Sequence, residues 1–291
     1  MTERVIVLTL VRGSTYAILA SGLALIYGVG RIINLAHTAF LMVAAYGIWF
    51  FAVSQGWGLP ESVVVTVVGT GLLGILVYRF LLDRVRGHEA AVLLITIALA
   101  MAMQELVRIV FGSLPRNIPF LISGTTEILG IPIFNQYLVT LGIATLVIIS
   151  IWLVLSKTRL GIAIRATAND AEVANLLGVS IPRTLMITVG IGTALAAVAG
   201  ILLAPLEGGL TCYMWISPLM MVLVVIVLGG LGSLKGSFIA AFFVGLVEAI
   251  VVTVVPTHGY LSQAFAMLAM VIVLAVRPQG MFGTLFEEEK L

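Results

Sequence analysis

Nine apolar runs divide the chain, near 5–28, 37–53, 61–82, 90–111, 136–156, 184–206, 217–232, 236–255 and 260–276. Each is close to the roughly 17–25 residues a helix needs to cross a bilayer. The runs are continuous and lack period-2 alternation, so the pattern predicts membrane helices and excludes a β-barrel. The first starts at Val5 and continues to about Gly28, long enough to remain as a span instead of being removed as a signal.

Two short polar breaks interrupt this pattern. The first, YGVGRIINLAHTAF, runs from Tyr27 to Phe40 and holds Gly28, Gly30, Arg31, Asn34 and His37; the second, LGGLGSLKGSF, runs from Leu228 to Phe238 and holds Lys235 among its glycines. Each joins one span to the next returning one. Breaks at corresponding places in the two halves of a membrane protein point to an internal repeat around a central pathway, which predicts spans 1–3 and 7–9 as a parallel repeat. Tight turns built on glycine are the other reading. Asn34 and His37 need polar partners in either case.

The long polar segment between spans is KTRLGIAIRATANDAEVANLLGVSIPR, 157–183. Asn169 or Asp170 is placed to cap a short helix over Ala171 to Leu177, and Gly178 to end it with positive φ. Such a helix suits a docking surface for another protein; a solvated connecting loop is the alternative. On the opposite side, 112–136 carries Pro115, Pro119 and Pro132, which forbid a helix through it, and ISGTTEILGIPIF has the turn residues and short apolar pieces of a hairpin cap. The other sizeable outer connection, EGGLTCYMWIS from Glu207 to Ser217, offers Tyr213, Met214 and Trp215 as interfacial anchors.

Composition agrees with the pattern. The chain is 61% hydrophobic and 10% charged, with mean hydropathy +1.21, where a soluble domain carries about 25% charge. It would not stay dissolved as a monomer. The reading is a single-domain (1–291), all-α polytopic membrane protein of about eight to nine membrane-spanning or membrane-embedded helices. With nine crossings and the N-terminus outside, one side collects Arg31, Arg79, Arg84, Arg86, Lys157, Arg159, Arg165, Arg183, Lys235, Arg277 and Lys290. The other side keeps Arg4, Arg12, Arg108 and Arg116. Eleven against four predicts the C-terminus, with its acidic tail Glu287 to Lys290, in the cytoplasm. The net charge of +2 thus reflects topology and gives no reason to expect nucleic acid.

Catalytic signatures are missing. GGLGSLKGS lacks the spacing of a phosphate-binding loop, the three histidines (His37, His88, His258) are far apart in sequence, and the single Cys212 leaves no disulfide or thiolate cluster. The remaining chemistry is the polar residues inside spans, each costly in lipid and therefore directed to protein or to a water path. Candidates for lining the translocation path are Asn34, His37, Gln104 and Glu248. Glu248 also suits a structural hydrogen bond between helices, and Glu105 and Arg108, spaced i,i+3, suit an ion pair near the outer surface.

These pieces resemble the LivH-type membrane permease of bacterial and archaeal branched-chain amino acid ATP-binding-cassette (ABC) importers. The resemblance rests on 13–47 with its I-N-L-A-H, on LITIALAMAMQE (94–105), on RLGIAIRATANDAEVANLLGVSIPR (159–183), on AAVAGILLAP (196–205) and on 224–283 with L-G-G-x-G-S-x-x-G. Together these sample nearly the whole chain in order. The resemblance implies an ABC importer permease fold, with a coupling helix that seats in a groove of the cytoplasmic ATPase. That role falls to Asn169, Asp170, Ala171, Glu172, Val173, Ala174, Asn175, Leu177 and Gly178. It also implies a second permease of LivM type, two ATPase subunits carrying ATP and Mg, and an extracytoplasmic substrate-binding protein. The permease itself would bind no cofactor and catalyse nothing. Arg12 and Glu105 are charged where such permeases lead one to expect neutral residues.

The function expected is import of branched-chain or related small amino acids across a prokaryotic plasma (inner) membrane by alternating access. The rival is an ATP-independent channel or secondary carrier for a small neutral solute such as urea or a short amide, which leaves 169–178 without a partner. A membrane enzyme lacks a visible nucleophile, acid–base pair or metal set, and a purely structural subunit does not explain the two polar breaks.

Overall fold

The structure, a computed structural model, describes residues 2–118, 122–128, 131–254 and 261–282. The acidic tail, Pro119 and His258 lie outside the described residues.

Every apolar run becomes a helix. The first five are α1 (Thr2–Gly30), α2 (His37–Ile48, extended by a wider turn over Trp49–Ser54), α3 (Leu59–Phe80), α4 (Glu89–Phe111) and α5 (Asn135–Lys157). Two short helices fill the long polar segment, α6 (Arg159–Asn169) and α7 (Ala171–Leu176). The last four are α8 (Ile181–Leu203), α9 (Ile216–Gly229), α10 (Leu234–Val254) and α11 (Leu261–Val276). Seven are long and apolar enough to cross a membrane, counting α2 with its extension; α9 and α11 are shorter apolar helices. The protein is therefore an all-α, multi-pass membrane protein. Its one described sheet is the expected hairpin, β1 (Thr125–Ile128) antiparallel to β2 (Ile131–Phe134) with Thr126 opposite Ile133. Arg116 and Leu210 exchange backbone hydrogen bonds of 3.0 and 2.7 Å, which tie the hairpin's loop to the 207–215 connection.

Helix α8 is the hub, with α1, α2 and α3 packed along it, while α10 lies along α1. In lipid no hydrophobic force drives helices together, so close approach needs small residues. A Cβ on Gly192 of α8 would come 2.9 Å from the Gly22 carbonyl oxygen of α1, and one on Gly22 would come 2.7 Å from that of Gly192. The two backbones touch, and only glycine fits. Gly13 and Gly245 serve the α1–α10 crossing in the same way.

The packing does not repeat between spans 1–3 and 7–9. α9, α10 and α11 pack on one another, whereas α1 finds its main partners in α10, α8 and α5. Contacts recur instead between α1–α3 and α8–α10: α1 crosses α8, α2 and α3 lie on α8 as α9 and α10 lie on α1, and α2–α3 matches α9–α10. These two units run in opposite directions. The end of α1 at Gly30 lies against Leu185 near the start of α8, and Arg12 near the start of α1 reaches Glu207 just past the end of α8. The two glycine breaks are therefore different objects. The first is a re-entrant segment, and its counterpart is the 207–215 connection that leads into the short α9. The second is a turn, with Gly230 and Gly232 at φ 94° and 81°. Composition alone could not separate them, because glycine serves both purposes.

Candidate functional site

Three elements meet at the basic end of the bundle. Gly28 of the first break and Gly232 of the second pack together, a Cβ on Gly28 lying 3.4 Å from the Gly232 carbonyl oxygen. Gly28, Gly232 and Lys235 line a cavity of about 400 Å³ together with Arg165 and Asn169 of α6. The loop helices thus sit directly against both interruptions.

Capping shapes that loop. The Thr158 hydroxyl accepts from the Gly161 amide at 3.0 Å and starts α6; the Asp170 carboxylate accepts from the Val173 amide at 2.9 Å and starts α7. Gly178, at φ 87°, ends the turn after α7, and the Val179 amide donates to the Ala174 carbonyl at 3.0 Å. Of the expected docking residues, Ala174 faces inward and is buried. Asn169, Asp170, Ala171, Glu172, Val173, Asn175, Leu177 and Gly178 are exposed. The least expected feature is Leu176, 85% exposed beside Leu177 at 78%. Leu176 was absent from the sequence-based set. Two leucines this exposed on a capped turn, with Glu172 and Asn175 beside them, make an apolar knob with a polar rim. The residues before it, 159–169, are a helix that packs on α5, α1 and α8 and carries the knob. Its amphipathic pattern could have been read from Ile164, Thr167 and Ala168 against Arg159, Ile162 and Arg165.

The first break re-enters the membrane. His37, the first residue of α2, is fully buried, and its Nε2 donates to the Leu19 carbonyl at 3.0 Å. Leu19 lies 11 residues before the end of α1, about 16 Å of helix at ~1.5 Å per residue. The chain therefore leaves α1 at Gly30, turns back as non-helical backbone over 31–36, and begins α2 partway through the bundle. Irregular backbone at membrane depth survives only where protein or water encloses it, and Ile32, Asn34 and Ala36 are all buried. The Asn34 Oδ1 accepts from the Ala36 amide at 3.0 Å, a local turn that leads into the new helix. Asn34 Nδ2 and His37 Nδ1 have no hydrogen-bond partner among the described residues.

The four intramembrane candidates do not form one constellation. Asn34 and His37 belong to the re-entrant segment. Gln104 accepts from the Trp215 indole at 2.8 Å, which holds α4 to the lead-in of α9. Glu248 is held elsewhere: Tyr16 donates to its Oε2 at 2.7 Å, and Arg12 Nε lies 3.7 Å from its Oε1. Arg12 also donates to Glu207 at 2.5 Å. The two charged residues Arg12 and Glu248, 236 positions apart in sequence, thus answer one another across α1 and α10. The structural alternative for Glu248 has its partners here. Glu105 and Arg108 form the expected exposed pair at 2.7 Å.

Comparison with known proteins agrees with this architecture. Residues 5–274 match the family described as the permease component of the branched-chain amino acid transport system. The chain belongs to that family. It is 30% identical to the high-affinity branched-chain amino acid transport system permease protein LivH of Escherichia coli K12, over 93% of this chain and 92% of that one. The BraD permease of Pseudomonas aeruginosa is similar at the same identity and coverage. A probable branched-chain amino acid permease of Methanocaldococcus jannaschii is 24% identical over 91% of this chain and 88% of its own. Among solved structures, PsaBC from Streptococcus pneumoniae shares the fold with TM-score 0.54 at 13% identity, covering 94% of this chain and 92% of that one. The chain is thus a transport permease and works in a transporter complex. The re-entrant α2 and the exposed α6–α7 elbow stand apart in this architecture, one at depth in the bundle and one at the basic end.

Proposed function

We propose that the chain is the permease subunit of an ABC importer for branched-chain or related small amino acids. It pairs with a second permease of LivM type to enclose the path. Two cytoplasmic ATPase subunits hold ATP and Mg²⁺, and an extracytoplasmic binding protein delivers substrate. The N-terminus is outside and the C-terminus inside, as the excess of basic residues on the α6–α7 side supports. The substrate class follows the printed names of the LivH and BraD relatives.

One observation carries the ATP-driven reading: the exposed Leu176 and Leu177 on the capped α7 turn, on an elbow seated against both breaks. Apolar side chains facing water at a membrane protein's edge are stabilised by burial in a partner. An ATPase gripping this knob pulls on α6, and α6 touches α1, α5 and α8. Closing and opening of the ATPases then supplies the differential binding to two membrane states that alternating access requires. Glu172 and Asp170 favour a basic groove in the partner, while Asn34 and His37 offer the substrate path a donor and an acceptor at depth.

The test is purification of the tagged chain in mild detergent, with mass spectrometry of co-purifying proteins. ATPase subunits and a second permease should be recovered, and be lost on replacing Leu176 and Leu177 with serine. A stable ATPase-free oligomer that transports solute in liposomes would overturn the proposal in favour of a channel or carrier.

A further inference from the structure

We propose that an anionic phospholipid binds between α5 and α10, its headgroup held by Arg165 and Lys235 and its acyl chains in the apolar cleft behind them. The cleft has two connected parts. One, about 400 Å³, lies among α1, α5, α6 and the second break and is lined by Arg165, Lys235, Ser156 and Trp152. The other, about 550 Å³, continues between α5 and α10 along Ile148, Ile151, Phe238 and Ile239. Trp152, Leu155, Leu234 and Lys235 line both, so the two communicate.

The polar part is built for an anion. Neither Arg165 nor Lys235 has an acidic partner among the described residues, and no acidic side chain lines either cavity. Among the described residues the one hydrogen bond from the Arg165 side chain is long, 3.4 Å from Nε to the Gly161 carbonyl, and the guanidinium end has no partner there. The Ser156 hydroxyl is enclosed and has no hydrogen-bond partner among the described residues. Trp152, 62% exposed and five residues before Lys157 at the end of α5, sits where an indole meets the headgroup layer.

The remaining part is built for a chain. α5 has mean hydropathy 2.7 but is only 11% buried, the lowest share of any span. A groove that is apolar apart from Ser21 and, at its mouth, Lys235, and open sideways to the bilayer, takes acyl chain, which carries no polar group to satisfy. Two cations at its mouth, without an acidic partner among the described residues, then select an anionic headgroup over a zwitterionic one; basic pockets between membrane helices act this way. A lipid seated here touches α6, the second break and α1 together, so it stiffens the elbow that carries α7. Placing it in the cytoplasmic leaflet rests on the orientation proposed above; the site itself does not.

The test uses the purified full chain, with whatever subunits accompany it, titrated with phosphatidylglycerol or phosphatidylcholine of matched acyl chains. Retained lipid is counted by native mass spectrometry. The wild type should keep phosphatidylglycerol preferentially, and R165Q/K235Q should lower that preference roughly 30-fold with phosphatidylcholine unchanged, as expected for two juxtamembrane cations. Equal retention of the two lipids by the wild type, or an unaltered preference in the double variant, would overturn the proposal. I239W narrows the apolar part without touching the cations and should lower phosphatidylglycerol retention; full retention by monodisperse I239W would remove the cleft as its seat. The readout needs neither ATPase binding nor transport, so it fails or succeeds independently of the importer reading.

Discussion

Helices α8 and α5 are both apolar and both 23 residues long, yet they have opposite fates. The α8 span, with its terminal turn, is 72% buried at mean hydropathy 2.2; α5 is 11% buried at 2.7. In water the more apolar helix would be the inner one. In lipid the transfer of Leu or Ile from membrane to protein gains little, so burial follows backbone access and polar satisfaction instead. α8 carries Gly190, Gly192, Ala196, Ala197 and Gly200 where its neighbours cross, and its threonines bond back to their own helix. α5 carries Leu146, Ile149, Trp152 and Leu153 and turns them outward. α1, at hydropathy 1.5 and 61% buried, follows the rule from the polar side, since Arg12, Ser14, Thr15 and Tyr16 need protein around them.

Substitutions should separate these two regions by size of effect. The largest is expected at the α1–α8 crossing. Gly192→Leu forces a side chain into the Gly22 backbone and should cost about 3 kcal/mol or more, seen as loss of monodisperse protein and a lowered Tm in detergent. An unchanged Tm would mean that the two backbones do not touch.

Next comes the charged cross-tie. Arg12→Leu leaves Glu248 beside Tyr16 alone and should destabilise by about 2–3 kcal/mol, somewhat below a fully buried pair because Arg12 and Glu207 keep some solvent contact. The double variant R12L/E248L should recover part of that loss. Strictly additive effects would show that the two residues are independent.

Gln104→Leu removes one hydrogen bond from Trp215 and should cost about 1 kcal/mol. The same thermal measurement checks it, with an intrinsic-fluorescence shift of Trp215 as a second sign.

The flank should scarcely respond. Leu146→Ala on α5 and Glu172→Arg on α7 should each change stability by no more than about 0.5 kcal/mol. Glu172→Arg should nevertheless abolish most uptake by the assembled transporter while leaving Tm in place. Normal uptake together with normal ATPase binding would remove Glu172 from the docking surface. The exposed flank is thus the place where stability and function come apart.

Much of this could be read without a structure. Nine apolar runs became nine helices with ends displaced by only a few residues, because run length against bilayer thickness is a one-dimensional property. The hairpin at 125–134 followed from its turn residues, and the α7 turn from Asp170 and Gly178, each a local rule acting within four residues. The candidate site was legible to the same extent: the capped, exposed turn at 170–178 followed from the sequence, but the exposure of Leu176 did not, since nothing in NLLG distinguishes the more exposed leucine. The Glu248 partnership was invisible because Arg12 is 236 residues away.

The sequence by itself determined the helices, the membrane as their solvent, the caps and the uneven distribution of basic residues. Each of these depends on neighbours along the chain or on composition. Tertiary structure alone decided which glycines are turns and which are crossings, that α2 begins at depth, that the repeated units are α1–α3 and α8–α10 in opposite directions, and that α5 stands apart with a cleft behind it. These are properties of pairs of helices. In a bilayer, where hydrophobicity no longer says which face is inside, such pairings depend on shape and on the need of a few polar groups for one another.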